Sequence, residues 1–291
     1  MNSNPLAEVF GFPTDNRTPK AERYRKNKLC PFNNKVPSCT KDKANDPLGV
    51  CSIFEAGKTI ITCPVRFRED WHIAEDAAKF FFKPSVSWTS IAEVRLNDKE
   101  GNTAGNIDLV LVSYDERGRV LDFGSLEIQA VYISGNVRRP FERYISNRKR
   151  STEFVWGGPN FPSADFLSSS RKRLAPQMLY KGGILKAWNK RQAVALQSSF
   201  FETLPKLKET IPSKADIAWL LYDLNLDKKN NQYKLEQNRI VYTEFQSALN
   251  QITTTQPGKI EDFVDVLQQK LDEKLEGNPP DAPTLTDLTI S

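Results

Sequence analysis

Between Trp88 and Tyr132 three strand-like runs follow one another, and acids stand inside them where apolar side chains would be expected. Trp88 to Leu96 is the first, Ile107-Asp-Leu-Val-Leu-Val-Ser-Tyr114 the second and Val120 to Tyr132 the third. Asn97 to Gly105 and Asp115-Glu-Arg-Gly118 supply the turns between them. Asp108 lies among Ile107, Leu109, Val110 and Leu111, and Glu127 and Gln129 alternate with Leu126, Ile128 and Ala130. Period-2 geometry puts Glu127 and Gln129 on one face of their strand and the apolar residues on the other. Ionised carboxylates in apolar strands are costly unless a cation pairs with them. Two of them within one hairpin suit a hard divalent ion such as Mg²⁺, which takes oxygen ligands, keeps several waters and can polarise a phosphodiester. Glu93, between Ala92 and Val94, is a softer case: a ligand for a second ion, or a surface strand residue.

The surrounding chain predicts an α/β fold with a mixed sheet flanked by helices. A helix is expected from Asp70 to Phe82, and helical spacing runs from Ala187 to Leu204, with Phe200 and Phe201 serving core or dimer packing. Asp216 to Leu224 and Asn238 to Thr243 read as two further strands around the turn-rich Asp227 to Gln232. Ile260 to Leu275 is an amphipathic acidic helix, and Glu276 to Pro283 breaks structure ahead of a tail expected to be disordered. The expected organisation is an N-terminal segment over 1–69, a core over 70–258, an acidic helix over 259–276 and a tail over 277–291. With 39% hydrophobic residues, 17 Phe and 5 Trp, the chain can fill a sizeable core. No apolar run reaches the roughly 20 residues that span a bilayer, and the N-terminus lacks a basic-then-apolar signal pattern; a soluble cytoplasmic protein is expected.

Charge is unevenly spread. The chain has 41 Lys+Arg against 36 Asp+Glu, but acids outnumber bases 8 to 3 from Lys259 onward, so the preceding part is distinctly basic. Arg17 to Lys43 holds nine bases and two acids, and Val137 to Arg191 thirteen bases and three acids. Such stretches either form solvated faces or meet an anionic polymer, for which nucleic acid is the default. In the second stretch Arg138-Arg139, Arg148-Lys149-Arg150 and Arg171-Lys172-Arg173 are interleaved with Phe141, Tyr144, Phe154, Trp156 and Phe161. Of its acids, Glu142 and Glu153 have basic neighbours, whereas Asp165 stands apart. Arg reads guanine in the major groove and a carboxylate accepts from cytosine N4, so Asp165 with Arg171 and Arg173 is a candidate reader of G·C pairs. The alternatives are a helix cap for Asp165 and phosphate contacts for the arginines. His72 is the single histidine, which excludes any mechanism or metal site needing a His pair within one chain.

Cys30, Cys39, Cys51 and Cys63 fall within 34 residues, each in a loop-like context, and no cysteine follows. Four thiolates around one tetrahedral ion suit a reducing compartment; unligated buried thiols and disulfides are the other readings. The ion can be iron or zinc, and spacing does not choose.

Asp108 with Glu127-x-Gln129 on such a hairpin resembles the PD-(D/E)xK nuclease core, with Gln129 where most members have lysine. The chain as a whole resembles the NotI-like family of type II restriction endonucleases. Pro5-Leu-Ala-Glu-Val-Phe-Gly-Phe-Pro13, Cys30-Pro-Phe32, Gly49-Val-Cys-Ser52, Cys63-Pro-Val-Arg-Phe67 and Gly105-Asn-Ile-Asp108 carry the likeness. So do Leu126-Glu-Ile-Gln-Ala-Val-Tyr-Ile-Ser-Gly135 and Asp165-Phe-Leu-Ser-Ser-Ser-Arg-Lys-Arg-Leu174, which brings its span to roughly residues 5 to 200. The resemblance implies a homodimeric, Mg²⁺-dependent site-specific deoxyribonuclease with iron on the four cysteines and a GC-rich palindromic target. Asp108 and Glu127, with the backbone carbonyl of Ile128, would hold the ion, and Gln129 would orient the attacking water. Arg138, Arg139, Arg171 and Arg173 would contact DNA, and a cognate methyltransferase would protect the bacterial host. Two rival readings keep the DNA: a regulator that binds without cutting, and a repair nuclease that prefers structure to sequence.

Overall fold

The computed structural model describes residues 4–33, 37–43, 45–148, 156, 160–254 and 257–277. Its centre is a six-stranded mixed sheet in the order Gln232–Thr243, Ile217–Asp227, Gln192–Gln197, Val120–Gln129, Thr103–Tyr114 and Trp88–Asn97. The last three form the antiparallel meander that the sequence predicts. Asp115 accepts from the Arg117 and Arg119 amides in one of its turns, and Gly118 takes φ 75°, the left-handed position that favours glycine.

The segment around residue 190 differs from expectation. Gln-Ala-Val-Ala-Leu-Gln over 192–197 is the central strand, parallel to both neighbours, and not part of a helix. All six residues are buried, so no alternation marks them, and short apolar runs of this kind have no periodicity to read. Phe200 is fully buried and Phe201 packs on Trp219 at 5.7 Å, which assigns the pair to the core.

Both faces of the sheet are covered. On one, His72–Phe81 lays Ile73, Ala77, Ala78, Phe80 and Phe81 on Leu109, Leu111, Leu126, Ala193 and Ala195. Each fully buried large apolar side chain of this kind contributes about 1.5–3 kcal/mol. The helix starts at His72 and not at Asp70, because Asp70 and Trp71 take φ 49° and 58°, which a right-handed helix cannot include. On the other face, Val194, Leu196, Trp219 and Leu221 meet the small antiparallel sheet Phe12–Pro13, Leu6–Val9, Val50–Glu55 and Lys58–Ile61. Leu174 and Met178 complete that layer from a helical run over 166–187. Two π-helical stretches, Ser169–Leu174 and Met178–Gly182, interrupt this run. Pro176 between them has no amide to close an ordinary helical bond. At Gly182 a Cβ would sit 2.6 Å from the Phe245 ring, so only glycine lets the run approach the Phe245–Thr253 helix.

A buried ion cluster ties the N-terminal segment to the sheet. Arg66 Nε donates to Glu8 Oε1 and Oε2 at 3.1 and 3.0 Å, Nη1 to Glu69 Oε2 at 2.8 Å and Nη2 to the Tyr233 carbonyl at 3.1 Å. The guanidinium stacks on Phe32 at 4.2 Å. Two carboxylates and a carbonyl satisfy its donors, which is what makes full burial of the charge tolerable.

The chain forms two compact units, Met1–Thr253 and Thr254–Ser291. Within the second, Ile260–Gly277 is an amphipathic helix with Glu261 and Asp262 in its first turn and Lys274 in its last, signs that suit the helix dipole. The tail expected to be disordered lies outside the described residues from 278 onward. No helix among the described residues is long and apolar enough to cross a membrane.

Candidate active site and cysteine cluster

Leu109 pairs with Leu126 across the meander, and both point into the helix-covered core. Alternation therefore turns Asp108 and Glu127 to the opposite face, side by side, together with Gln129. Asp108 Oδ2 accepts from the Ile128 amide at 2.8 Å, which fixes its carboxylate against the neighbouring strand. Glu127 lies deeper, 2% exposed, and its two oxygens accept from Lys181 Nζ at 3.0 and 2.9 Å. Burial, reinforced by the negative charge of Asp108, pushes the Glu127 carboxyl up to about 7, although the Lys181 ammonium opposes the rise. Gln129, also buried, donates Nε2 to the Ala130 carbonyl at 2.8 Å, which leaves Oε1 as its end for another partner.

Asp108, Ile128 and Gln129 line a cleft of about 990 Å³ whose other walls include Lys41, Arg138, Lys172, Arg173 and Gln177. Of the residues singled out in the sequence, Asp108, Ile128, Gln129, Arg138 and Arg173 are thus brought together at one opening, which Glu127 does not itself line. Arg173 lies over the Tyr132 ring at 4.7 Å. Arg138 is engaged with protein carboxylates: Nη2 contacts Asp42, and Nη1 reaches Asp46 at 2.8 Å. Arg139 and Arg171 are exposed and do not line the cleft.

Glu93 falls across from Asp108, between the Ala92–Leu109 and Val94–Ile107 pairs, but at φ 55°. Its side chain is exposed and outside the cleft, as the surface-strand reading has it. Asp165 caps the helical run: Oδ1 accepts from the Ser168 amide at 2.8 Å, and that bond holds its carboxyl below the usual carboxylate range. Lys149, Arg150, Glu153 and Phe154 lie outside the described residues.

The family model of restriction endonuclease NotI matches residues 16–235. The chain belongs to the NotI restriction endonuclease family. No curated protein matches it. Membership makes the chain a DNA-binding, site-specific deoxyribonuclease, and the matched span takes in the meander, the cleft residues and the run over 166–187.

In this endonuclease the four cysteines are free thiols, and Cys39, Cys51 and Cys63 are buried. Cys51 stands within the Val50–Glu55 strand and not in a loop; its carbonyl accepts from the amide of Thr62, the residue before Cys63, at 3.0 Å. Lys41 Nζ clasps the same strands, donating to the Val50 and Thr62 carbonyls at 2.7 and 3.1 Å. Burial pushes the Cys30 thiol up to about 11 and raises Cys39 and Cys51 as well, and in each case other cysteines add to the rise. Among the described residues, however, no three of His, Cys, Asp and Glu are grouped tightly enough to hold an ion as they stand. The donor set itself fits a soft tetrahedral ion, since binding would convert thiols that burial keeps protonated into ligated thiolates.

Sequence reading missed Lys181. It lies 54 residues from Glu127 inside a stretch read as a DNA-contacting surface, and no local pattern separates it from its basic neighbours. The one hint is negative: two apolar-strand carboxylates need a cation, and Gln129 is neutral.

Proposed function

We propose that this endonuclease is a type II enzyme that cuts both strands of DNA at a GC-rich palindrome, leaving 5′-phosphate and 3′-hydroxyl ends. One observation carries the reading: Asp108 and Glu127 stand together on one sheet face, and Asp108 lines a cleft walled by Lys172 and Arg173. Asp108, Glu127 and the Ile128 carbonyl are all oxygen donors, as a hard ion requires. They would hold Mg²⁺, which when bound supplies Lewis acidity and neutralises charge at the scissile phosphate. Gln129, through Oε1, orients the water that attacks phosphorus in line with the departing 3′ oxygen. Its neutral amide brings no charge, so it positions and does not stabilise the pentavalent state electrostatically.

Arg173 and Lys172 are placed to hold the backbone, with Arg171, Arg138 and Arg139 as further contacts and Asp165 as a base reader through the oxygen its cap leaves over. Among the described residues the chain has one such carboxylate pair, so two cuts in a palindrome take two copies related by a two-fold axis. The four cysteines hold a structural iron or zinc that stiffens the segment beneath Lys41. In a bacterial cytoplasm a cognate methyltransferase marks the same site.

Digestion of one sequenced plasmid with Mg²⁺, followed by mapping of the ends, tests the reading. Discrete fragments with 5′-phosphates are expected, and Asp108→Ala should cut nothing while retaining specific binding in Ca²⁺. Smearing or nicking at junctions would instead mark a structure-specific repair nuclease, and wild-type binding without cutting a regulator.

A further inference from the structure

We propose that Lys181 is a positioning residue of this active site, the fixed cation that holds Glu127 in place and balances the Asp108–Glu127 pair. The inference rests on the assignment of that pair as the ion site. Two adjacent carboxylates on one sheet face repel each other, and neither Gln129 nor any other residue on that part of the strand brings a positive charge. Lys181 does. Its Nζ has three protons and three acceptors, both Glu127 oxygens and the Asn106 carbonyl at 2.6 Å, so its orientation is fully determined.

Burial and backbone both single it out. Lys181 is 5% exposed and is the one buried lysine among the described residues. Desolvating an ammonium is expensive, so a lysine placed there is specified by its partner and is not an incidental surface charge. The chain is shaped to deliver it. Lys181 belongs to the π-helical stretch Met178–Gly182, a rare geometry that shifts the register of side chains along a helix. Its stem passes Gly105, which adopts φ 110° and where a Cβ would lie 3.4 Å from Lys181 Cε.

Position decides the role. Asp108 and Gln129 line the cleft, whereas Lys181 lines a neighbouring hollow with Gly105, Asn106 and Tyr180 that shares Pro176 and Gln177 with it. Lys181 therefore acts on the ion site through Glu127 and does not itself line the cleft. A group that orients a ligand carboxylate in this way is worth about 10–100-fold in activity.

Two variants test this: Lys181→Met and Lys181→Arg. Each is assayed for single-turnover plasmid cleavage across a Mg²⁺ titration, for specific DNA binding in Ca²⁺, and for thermal midpoint. Lys181→Met should lose about 10–100-fold in cleavage rate while binding in Ca²⁺ is kept. Lys181→Arg should recover part of the loss. Wild-type cleavage by Lys181→Met would overturn the proposal. So would a loss that tracks the thermal midpoint and that Lys181→Arg does not recover, since that marks a purely structural ion pair. Failure of the ion-site assignment shows separately, as cleavage retained by Asp108→Ala.

Discussion

Titrating Mg²⁺ into the DNA-free endonuclease at a series of pH values tests whether Glu127 is the group that admits the ion. Its carboxyl is raised from 4.5 to about 7 by burial and by Asp108. A protonated carboxyl cannot ligate, so the Mg²⁺ dissociation constant should be flat above about pH 8 and climb about tenfold per unit below about pH 7. The same shift links to stability. A group whose folded pKa is raised holds its proton more tightly in the folded state, so its contribution is fully present below the unfolded pKa and is lost as pH rises through the folded one. For Glu127 that window runs from 4.5 to about 7, and the stability lost across it is about 3 kcal/mol in the metal-free protein. Mg²⁺ added above the window should restore it by mass action. Calorimetric titration gives the affinity, and denaturant unfolding with and without the ion gives the stability. An affinity that does not vary with pH, or that breaks only at the pH of an ordinary carboxylate, would refute the reasoning, because Glu127 would then be either no ligand or not desolvated.

Arg66→Met leaves Glu8 buried without its cation and Glu69 with Lys234 alone at 3.4 Å, and should cost about 3–5 kcal/mol in urea unfolding; a loss under about 1 kcal/mol would show the cluster to be dispensable. Asp165→Ala removes the cap on the Ser168 amide and should lower the thermal midpoint by a few degrees. If Asp165 also reads a base, the variant relaxes discrimination at one base pair without weakening non-specific binding, whereas equal weakening on every duplex in Ca²⁺ assigns it to the cap alone. Purified protein should carry about one transition metal per chain, and Cys51→Ala should lose it; elemental analysis finding none, with four freely titrating thiols, would end the tetrathiolate reading.

The meander and its acids were legible along the chain because strand alternation and turn chemistry act over a few residues. Glu127 and Gln129 could be put on one face from spacing alone, and the structure adds Asp108 to it. The central strand over 192–197 was not legible, because burial on both faces erases the alternation that local reading depends on. Nor was the start of the helix at His72, which two left-handed residues set. Asp165 and Glu93 show the same limit from the other side. A lone acid in a basic or apolar stretch has the same sequence signature whether it caps a helix, meets solvent or binds an ion, and only its hydrogen bonds and exposure tell these apart. Residue type and local period thus determined by themselves that this chain carries paired strand carboxylates, clustered thiols and basic stretches. Which cation faces which carboxylate was left to tertiary structure. Lys181 reaches Glu127 only because a helical run with π turns packs across the sheet, and a contact 54 residues long leaves no pattern in the sequence around Lys181.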